Sequence, residues 1–501
     1  MSSTKGIWKV ITASSVGTLI EWYDFYIFGS LATIISEKFF PSTNPTTAFL
    51  ATLATFAAGF IVRPFGALFF GRLGDIIGRK HTFLLTLVIM GGSTFLIGCI
   101  PDYKNFAAAP YVVLLLRLLQ GLALGGEYGG AATYVAEHAP ANKRGYYTSW
   151  IQTTATLGLF VSLIVIITTQ KSLSKEAYND WGWRLPFLLS ILLVIVSIVI
   201  RMKMNESPLF AKLKSEGKTS TNPLKESFGK KQNMKIVLLA LFGATMGQGV
   251  VWYTGQFYAQ TFLLKVCNLE ATQTNTWIGI ALLIATPFFV FFGWLSDKIG
   301  RKVIMLTGML LAIICYRPIF TAFYNMSDVK AKQEVSSTIT TKKIINPENN
   351  LDSLFIKTTS SLYTDGTALL QTEKYSTKIL QSGSNKPMES KIVITLDTSY
   401  QWKLIGLMFL LVLFVTMVYG PIAAFLVELF PTKIRYTSMS LPYHIGNGVF
   451  GGLVPFIATL ITITPGSNYL SGLWYPIGVA AVCLIIGVLY LSNKKDEDVS
   501  D

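Results

Sequence analysis

The chain has 501 residues, 51% of them apolar and 14% charged, with a mean hydropathy of +0.49. That is too apolar for a soluble globular protein and points to an integral membrane protein with the lipid bilayer as its partner. The formal charge of +15 does not imply nucleic acid, because Lys and Arg gather in alternate short loops, the pattern that fixes membrane topology, and no nucleic-acid partner is expected.

A spanning helix needs about 20 apolar residues, and twelve such segments can be drawn, from 11–34 and 48–71 at the start to 437–462 and 473–492 at the end. Six precede a Lys-rich stretch from Arg201 to Lys235 and six follow it. The expected division is a six-helix bundle at 1–202, a linker at 203–234, helices 7–9 at 235–324, an insertion at 325–401, and helices 10–12 with the tail at 402–501. The basic loops place both termini on the cytoplasmic side. The first span is too long for a signal sequence and is expected to be retained.

Span one carries Glu21 and Asp24, with Tyr23 between them. Three residues apart, the two carboxylates share a helix face. At 1.5 Å per residue they lie ~15 and ~20 Å from the cytoplasmic end. A charge at that depth costs ~2.5–3.5 kcal/mol on insertion scales, so both must face protein or water. Span two ends with Arg63-Pro64. The loop after it reads Gly71-Arg-Leu-Gly-Asp75-Ile-Ile-Gly78-Arg79-Lys80.

Span four holds Arg117, Gln120 and Glu127 within about 80° of one another, among glycines that permit close helix approach. Depth counting sets Arg117 level with Asp24, suggesting a pair, and sets Glu127 level with Arg63. The loop beyond contains Glu137, Pro140 and Arg144. Span seven presents Gln248, Trp252 and Gln256 at four-residue spacing, with Tyr253 beside them, as in the wall of a small-molecule cavity.

After span eight the first loop recurs as Gly293-Trp-Leu-Ser-Asp297-Lys-Ile-Gly300-Arg301-Lys302, 222 residues on, from 71 to 293. Glu428, Pro431 and Arg435 repeat Glu137, Pro140 and Arg144 at an offset of 291, from 137 to 428. Two loop motifs recurring in order imply a duplicated chain. The difference between the offsets, about 69 residues, is the polar segment near 325–400. It has nine Lys and no Arg, Cys or His, and reads as a small β-containing or partly disordered extracytoplasmic extension, strand-like at 336–340 and 392–396. Span ten bends at Tyr419-Gly420-Pro421, and span eleven adds Tyr443, His444 and Asn447 to the cavity.

Four cysteines and three histidines lie at no metal or redox spacing. Neither metal nor cofactor is expected. Gly217-Lys218-Thr219 lacks the upstream glycine of a phosphate loop, and no nucleophile–base pairing suggests an enzyme.

With six plus six spans, G-x-L-x-D-x-x-G-R-K after span two and again in altered form after span eight, and Arg117-x-x-Gln120-Gly121, the chain resembles the major facilitator superfamily. Glu21-Trp22-Tyr23-Asp24-Phe25, Gly125-Gly126-Glu127-Tyr128 and Glu428-x-x-Pro431-x-x-x-Arg435 are similar to its metabolite:H⁺ symporter branch, which includes carriers of proline and betaine, α-ketoglutarate, citrate and shikimate. The resemblance implies an all-α membrane protein of two six-helix halves, with the extracytoplasmic insertion between helices 9 and 10. It implies a monomeric secondary transporter in a bacterial inner membrane, working by alternating access with protons as coupling ion. Its substrate would be a small organic acid or zwitterionic osmolyte. Glu21, Asp24, Arg117, Gln120 and Glu127 would couple proton and substrate, and Arg117 could instead hold a substrate carboxylate. Tyr23, Gln248, Trp252, Tyr253, Gln256, His444 and Asn447 would line the cavity. Arg63, Gly71, Asp75, Gly78, Arg79, Lys80, Arg144, Asp297, Gly300, Arg301, Glu428 and Arg435 would form the cytoplasmic gate. An exporter would share these motifs, and a transporter-like sensor using the insertion as receiver is the alternative from another class.

Overall fold

The computed structural model describes residues 4–40, 45–203, 205–346, 349–376, 387–464 and 466–492. The end of the expected tail, 493–501, lies outside them. Long helical stretches carry the fold: α1 (Thr4–Ser30), α2 (Pro45–Ile61, continuing as Arg63–Ile76), α3 (Arg79–Cys99), α4 (Ala109–His138), α5 (Ala141–Ser172) and α6 (Gly182–Met202). After the connecting segment come α7 (Lys231–Lys265), α8 (Ala271–Ile299), α9 (Arg301–Ser327), α10 (Thr398–Leu429), α11 (Thr432–Thr462) and α12 (Ser471–Tyr490). Ten of these, α3 to α12, are long and apolar enough to cross a membrane. α1 and α2 have the length but carry Glu21, Asp24, Arg63, Arg72 and Asp75.

Local sequence sets where these helices bend. α2 is interrupted at Val62, before Arg63-Pro64, because proline has no N–H to donate to the preceding turn. α10 breaks at Gly420 and Pro421 for the same reason. α7 contains π turns at Leu241–Thr245 and Thr254–Tyr258, and α11 one at Ile445–Gly451. Such turns widen a helix and recur at functional sites. Gly78 and Gly300, at φ 125° and 105°, start α3 and α9 in a conformation that side chains with a Cβ avoid.

The helices pack in two sets. α1–α6 bury several apolar clusters, one joining Tyr23, Ile27 and Phe28 of α1 to Trp183 and Phe187 of α6. α7–α12 share one larger core, which reaches across to Tyr128 and Ala132 of α4. α2 and α4 touch backbone to backbone: a Cβ at Gly121 would strike Gly59, and one at Gly125 would strike the Arg63–Ala67 turn. The two sets meet where the second half of α2 packs on the start of α11, and α8 on the start of α5.

The segment between α9 and α10 is an antiparallel meander: β1 (Glu334–Asn346), β2 (Asn349–Tyr363), β3 (Ala368–Ser376) and β4 (Glu389–Thr395). Thr340 pairs with Thr358, Thr358 with Thr372, and Thr372 with Lys391. The expected strand-like stretch 336–340 falls in β1, and 392–396 falls in β4 up to Thr395. The described residues follow the β-containing reading, with β2 and β3 joining the two expected stretches into one ladder, while 347–348 and 377–386 lie outside them. The sheet docks on the α7–α8 connection. Ile394 N–H donates to the Asn268 carbonyl, Glu270 N–H to the Ile394 carbonyl, and the Gln273 amide bonds both ways with the Leu396 backbone.

Candidate functional site

Two adjoining cavities share Glu21 and Arg63: one lies within the first set, among α1–α4, and the other lies where α1, α2, α4 and α5 face α7, α10 and α11. One is lined by Glu21, Asp24, Phe25, Arg63, Arg117 and Gln120, among others. The other is lined by Glu21, Trp22, Arg63, Tyr128, Gln152, Trp252, Tyr253, Tyr419, Tyr443, His444 and Asn447, with apolar and hydroxyl neighbours. They hold about 10 and 30 Å³ of space for a water-sized sphere. That is room for one or two waters, so this is a closed conformation.

The polar stripe of α4 meets the carboxylates of α1 through α3. Thr94 Oγ1 donates to Asp24 Oδ2 at 2.7 Å, Gln120 Nε2 to Thr94 Oγ1, and Arg117 Nη1 to Gln120 Oε1 at 2.6 Å. Asp24 and Arg117, expected as a pair, thus stand at the two ends of a hydrogen-bonded chain. The Arg117 guanidinium lies over the Phe28 ring at 4.0 Å. Asp24 is buried, and its Oδ1 has no hydrogen-bond partner.

Glu127 does not pair with Arg63. It takes Arg201 Nη2 at 2.7 Å and Thr86 Oγ1 at 2.7 Å, with both charged side chains buried. Arg201 closes α6 and turns inward over the Phe83 ring, into space that Gly17 leaves by lacking a Cβ. Arg63, freed of that partner and expected at the gate, instead lines both cavities with its guanidinium over Phe60 at 4.2 Å.

The cavity wall expected on α7 and α11 divides. Trp252, Tyr253, His444 and Asn447 line the second cavity. Gln248 is buried and joined twice to Asn447, at 2.8 and 3.1 Å. Gln256 lies one turn beyond, in a separate vestibule of about 460 Å³ between α1, α5, α7 and α8. Tyr23 is also corrected: it points away from the cavities and donates to the Pro186 carbonyl at 2.7 Å. A stack of Tyr128 on Tyr443, at 3.7 Å and 5°, with Tyr443 bonded to Tyr419 at 2.8 Å, forms a wall across the two sets of helices. Tyr443 was expected at the cavity, whereas Tyr128 and Tyr419 sit in stretches where glycine and proline dominate the local signal, which hides their part in this wall.

The duplicated loops build a matched pair of clamps. Asp75 accepts the N–H groups of Tyr436 and Thr437 at 3.3 and 2.8 Å, capping the start of α11, and holds Arg79 at 2.9 Å. Asp297 accepts those of Gly145 and Tyr146, both at 2.8 Å, and holds Arg301 at 2.6 Å. Each aspartate therefore caps a helix of the opposite set, where the helix dipole favours an anion. Arg144 opens one capped helix and Arg435 the other. Glu137 joins Arg79 at 3.5 Å and Arg435 at 2.9 Å, and Glu428 joins Arg301 at 3.0 Å. Gly71 lies against the Thr437 backbone, leaving no room for a side chain. Glu206, absent from the sequence reading, caps α3 by accepting Arg79 N–H and Lys80 N–H at 3.1 and 3.3 Å. Lys80 Nζ donates to the Met202 carbonyl.

Residues 9–234 match the sugar (and other) transporter family model. An α-ketoglutarate permease of Escherichia coli is 36% identical over 64% of this chain and 73% of its own length. The chain belongs to the major facilitator superfamily. A proline/betaine transporter of Salmonella typhimurium is 33% identical over 62% of this major facilitator chain and 64% of its own length. The fold is that of the proton:xylose symporter XylE, with a TM-score of 0.71, 16% identity, and coverage of 99% of this chain and 98% of that one. Like these relatives, the protein is a membrane transporter and not an enzyme.

Proposed function

We propose that this major facilitator protein is a proton-coupled symporter of a small organic acid or zwitterionic osmolyte, working by alternating access. The observation that carries the proposal is Asp24. A carboxylate buried beside the central cavity, with one oxygen tied to Thr94 and the other without a partner, can take up a proton there, and its neighbours differ between conformations that open to opposite sides. Support also comes from the relatives, whose names include an organic-acid permease, a proline/betaine transporter and a proton symporter.

In this reading α1 and α2 cross the membrane together with α3–α12, making twelve crossings in two six-helix halves, residues 1–202 and 235–501, joined by the 203–234 linker. Both termini and both clamps face the cytoplasm, the sheet faces outward, and a monomer suffices. The clamps hold the cytoplasmic side shut, and the Gln256 vestibule is the outer approach.

The test is uptake into proteoliposomes against a panel of organic acids, proline and betaine. An inward proton gradient should drive accumulation of one compound. Asp24→Asn should abolish that accumulation while leaving substrate exchange at equal pH largely intact. Accumulation by Asp24→Asn at the native rate would remove Asp24 from proton coupling.

A further inference from the structure

The charges around the central cavities can be balanced one against another. Glu127 is met by Arg201. Asp24 and Arg117 close a single hydrogen-bonded chain through Thr94 and Gln120. Two charges are left over, Glu21 and Arg63, and both line both cavities. Neither makes a hydrogen bond or a contact ion pair with the described residues; they act on each other only through space across the cavities, and Arg63 lies over the Phe60 ring. A carboxyl and a guanidinium that face a small cavity at membrane depth with no hydrogen-bonded partner are costly. A bound solute carrying the opposite pattern, one positive and one negative group, relieves both at once.

The walls of the second cavity say more about the positive group. Trp22 and Trp252 approach with ring centroids 5.4 Å apart, and Tyr128 and Tyr443 present a stacked pair beside Glu21. Aromatic faces attract cations, and they suit alkylated ammonium groups that cannot donate hydrogen bonds. A dicarboxylate fits worse: it sets two anionic groups near Glu21 and Asp24, with Arg63 as the cation lining both cavities that makes no hydrogen bond or contact ion pair with a described side chain.

We infer that the substrate is a zwitterion, an alkylated ammonium carboxylate, with its carboxylate on Arg63 and its cationic group between Glu21 and the indole and phenol rings. This rests on the proposed function as a small-solute carrier and selects one of its two substrate classes. It also moves the carboxylate anchor from Arg117 to Arg63.

The test is equilibrium binding to the purified full-length protein, followed by quenching of tryptophan fluorescence and by calorimetry. The probes are glycine betaine, proline, 2-oxoglutarate, 3,3-dimethylbutyrate, which has betaine's shape without the positive charge, and propyltrimethylammonium, which lacks the carboxylate. Betaine or proline should bind at least about tenfold more tightly than either single-charge probe, a discrimination of the size one well-placed charge contact gives. Arg63→Gln should cut zwitterion affinity about tenfold and leave propyltrimethylammonium within twofold. Glu21→Gln should weaken the zwitterion without weakening dimethylbutyrate, and Arg63→Lys should recover part of the loss. Unchanged melting temperatures keep these outcomes separate from misfolding. Binding of 2-oxoglutarate in preference to both zwitterions, an equal loss for all probes in Arg63→Gln, or no binding by folded protein would overturn the inference. Proton-driven uptake of 2-oxoglutarate would overturn it and leave symport standing, whereas zwitterion binding with no proton dependence would do the reverse.

Discussion

At the scale of single residues the membrane interior makes every charge answer for its partner. Glu127 and Arg201 are buried together, and removing one of such a pair strands the other at a cost of about 3–5 kcal/mol. Arg201→Met should therefore lower the thermal midpoint sharply. Glu127→Gln should cost less, because an amide still bonds Thr86 and the guanidinium. In Glu127→Leu/Arg201→Met neither charge remains, and the loss should be smaller than the sum of the losses in Glu127→Leu and Arg201→Met alone. Scanning fluorimetry of the purified variants reads this directly, and additive losses would mean that the pair is not coupled. Gly17→Ala offers a control from the other side, since its methyl group would enter the guanidinium's space.

At the scale of the element, the question is why one clamp should hold harder than its copy. Around Asp75 the side chains of Arg79, Glu137 and Arg435 are fully buried, and Glu137 ties Arg435 of the opposite set directly. Around Asp297 the side chains of Arg301 and Glu428 retain 6–13% exposure, and their ion pair stays within one set. Ser296 stands where the first copy has Gly74 and takes a hydrogen bond from Arg301 at 3.1 Å. Charged hydrogen bonds are worth about 1.5–3 kcal/mol each and fade with exposure. Asp75→Asn should thus open the cytoplasmic side more than Asp297→Asn. A cysteine placed at Ser440, fully buried behind the first clamp, should react with a maleimide roughly tenfold faster in the Asp75 variant, with a smaller gain in the Asp297 variant. Equal gains would show that burial does not rank the clamps.

At the scale of the whole molecule, what the sequence could reveal depended on whether a residue's role was local. The clamps were legible as a repeat because seven of ten loop positions recur, Asp, Gly, Arg and Lys among them, although the helix each aspartate caps lies in the opposite set and only the fold shows it. The aromatic and amide wall was legible in kind, as Trp252 and His444 show, but not in depth, because one helical turn separates Gln256 from the cavity. Arg201 was illegible: at the edge of an apolar span a cation reads as topology, and only tertiary packing turns it inward. β2 was hidden for a related reason, since its Ser, Thr and Lys residues look like loop until β1 and β3 pair with them.

That sheet rides on the second set of helices, and its attachment faces the side from which, in the proposed orientation, protons arrive. Asp365 is central to it, receiving Lys332 Nζ and Tyr400 Oη, each at 2.8 Å. Partial burial pushes its carboxyl up, but the Lys332 ammonium, the Thr367 N–H and the Tyr400 hydroxyl outweigh that and hold it well below the usual carboxylate range. A depressed folded value gives stabilisation that is complete above the unfolded pKa of about 3.9 and is lost only as pH falls through the lower, folded one. None of the chain's three histidines, His81, His138 and His444, lies in the segment. Hydrogen exchange in β3 and β4, corrected for intrinsic rates, should therefore stay constant from pH 8 to pH 5, while Asp365→Asn should speed it at every pH in that range. Loosening of the wild-type sheet between pH 7 and 5 would mean that the module senses the proton gradient. Constancy leaves proton sensing to the carboxylates of α1, because a platform beside the outer vestibule that does not titrate keeps the approach to the cavity the same on either side of the coupling step.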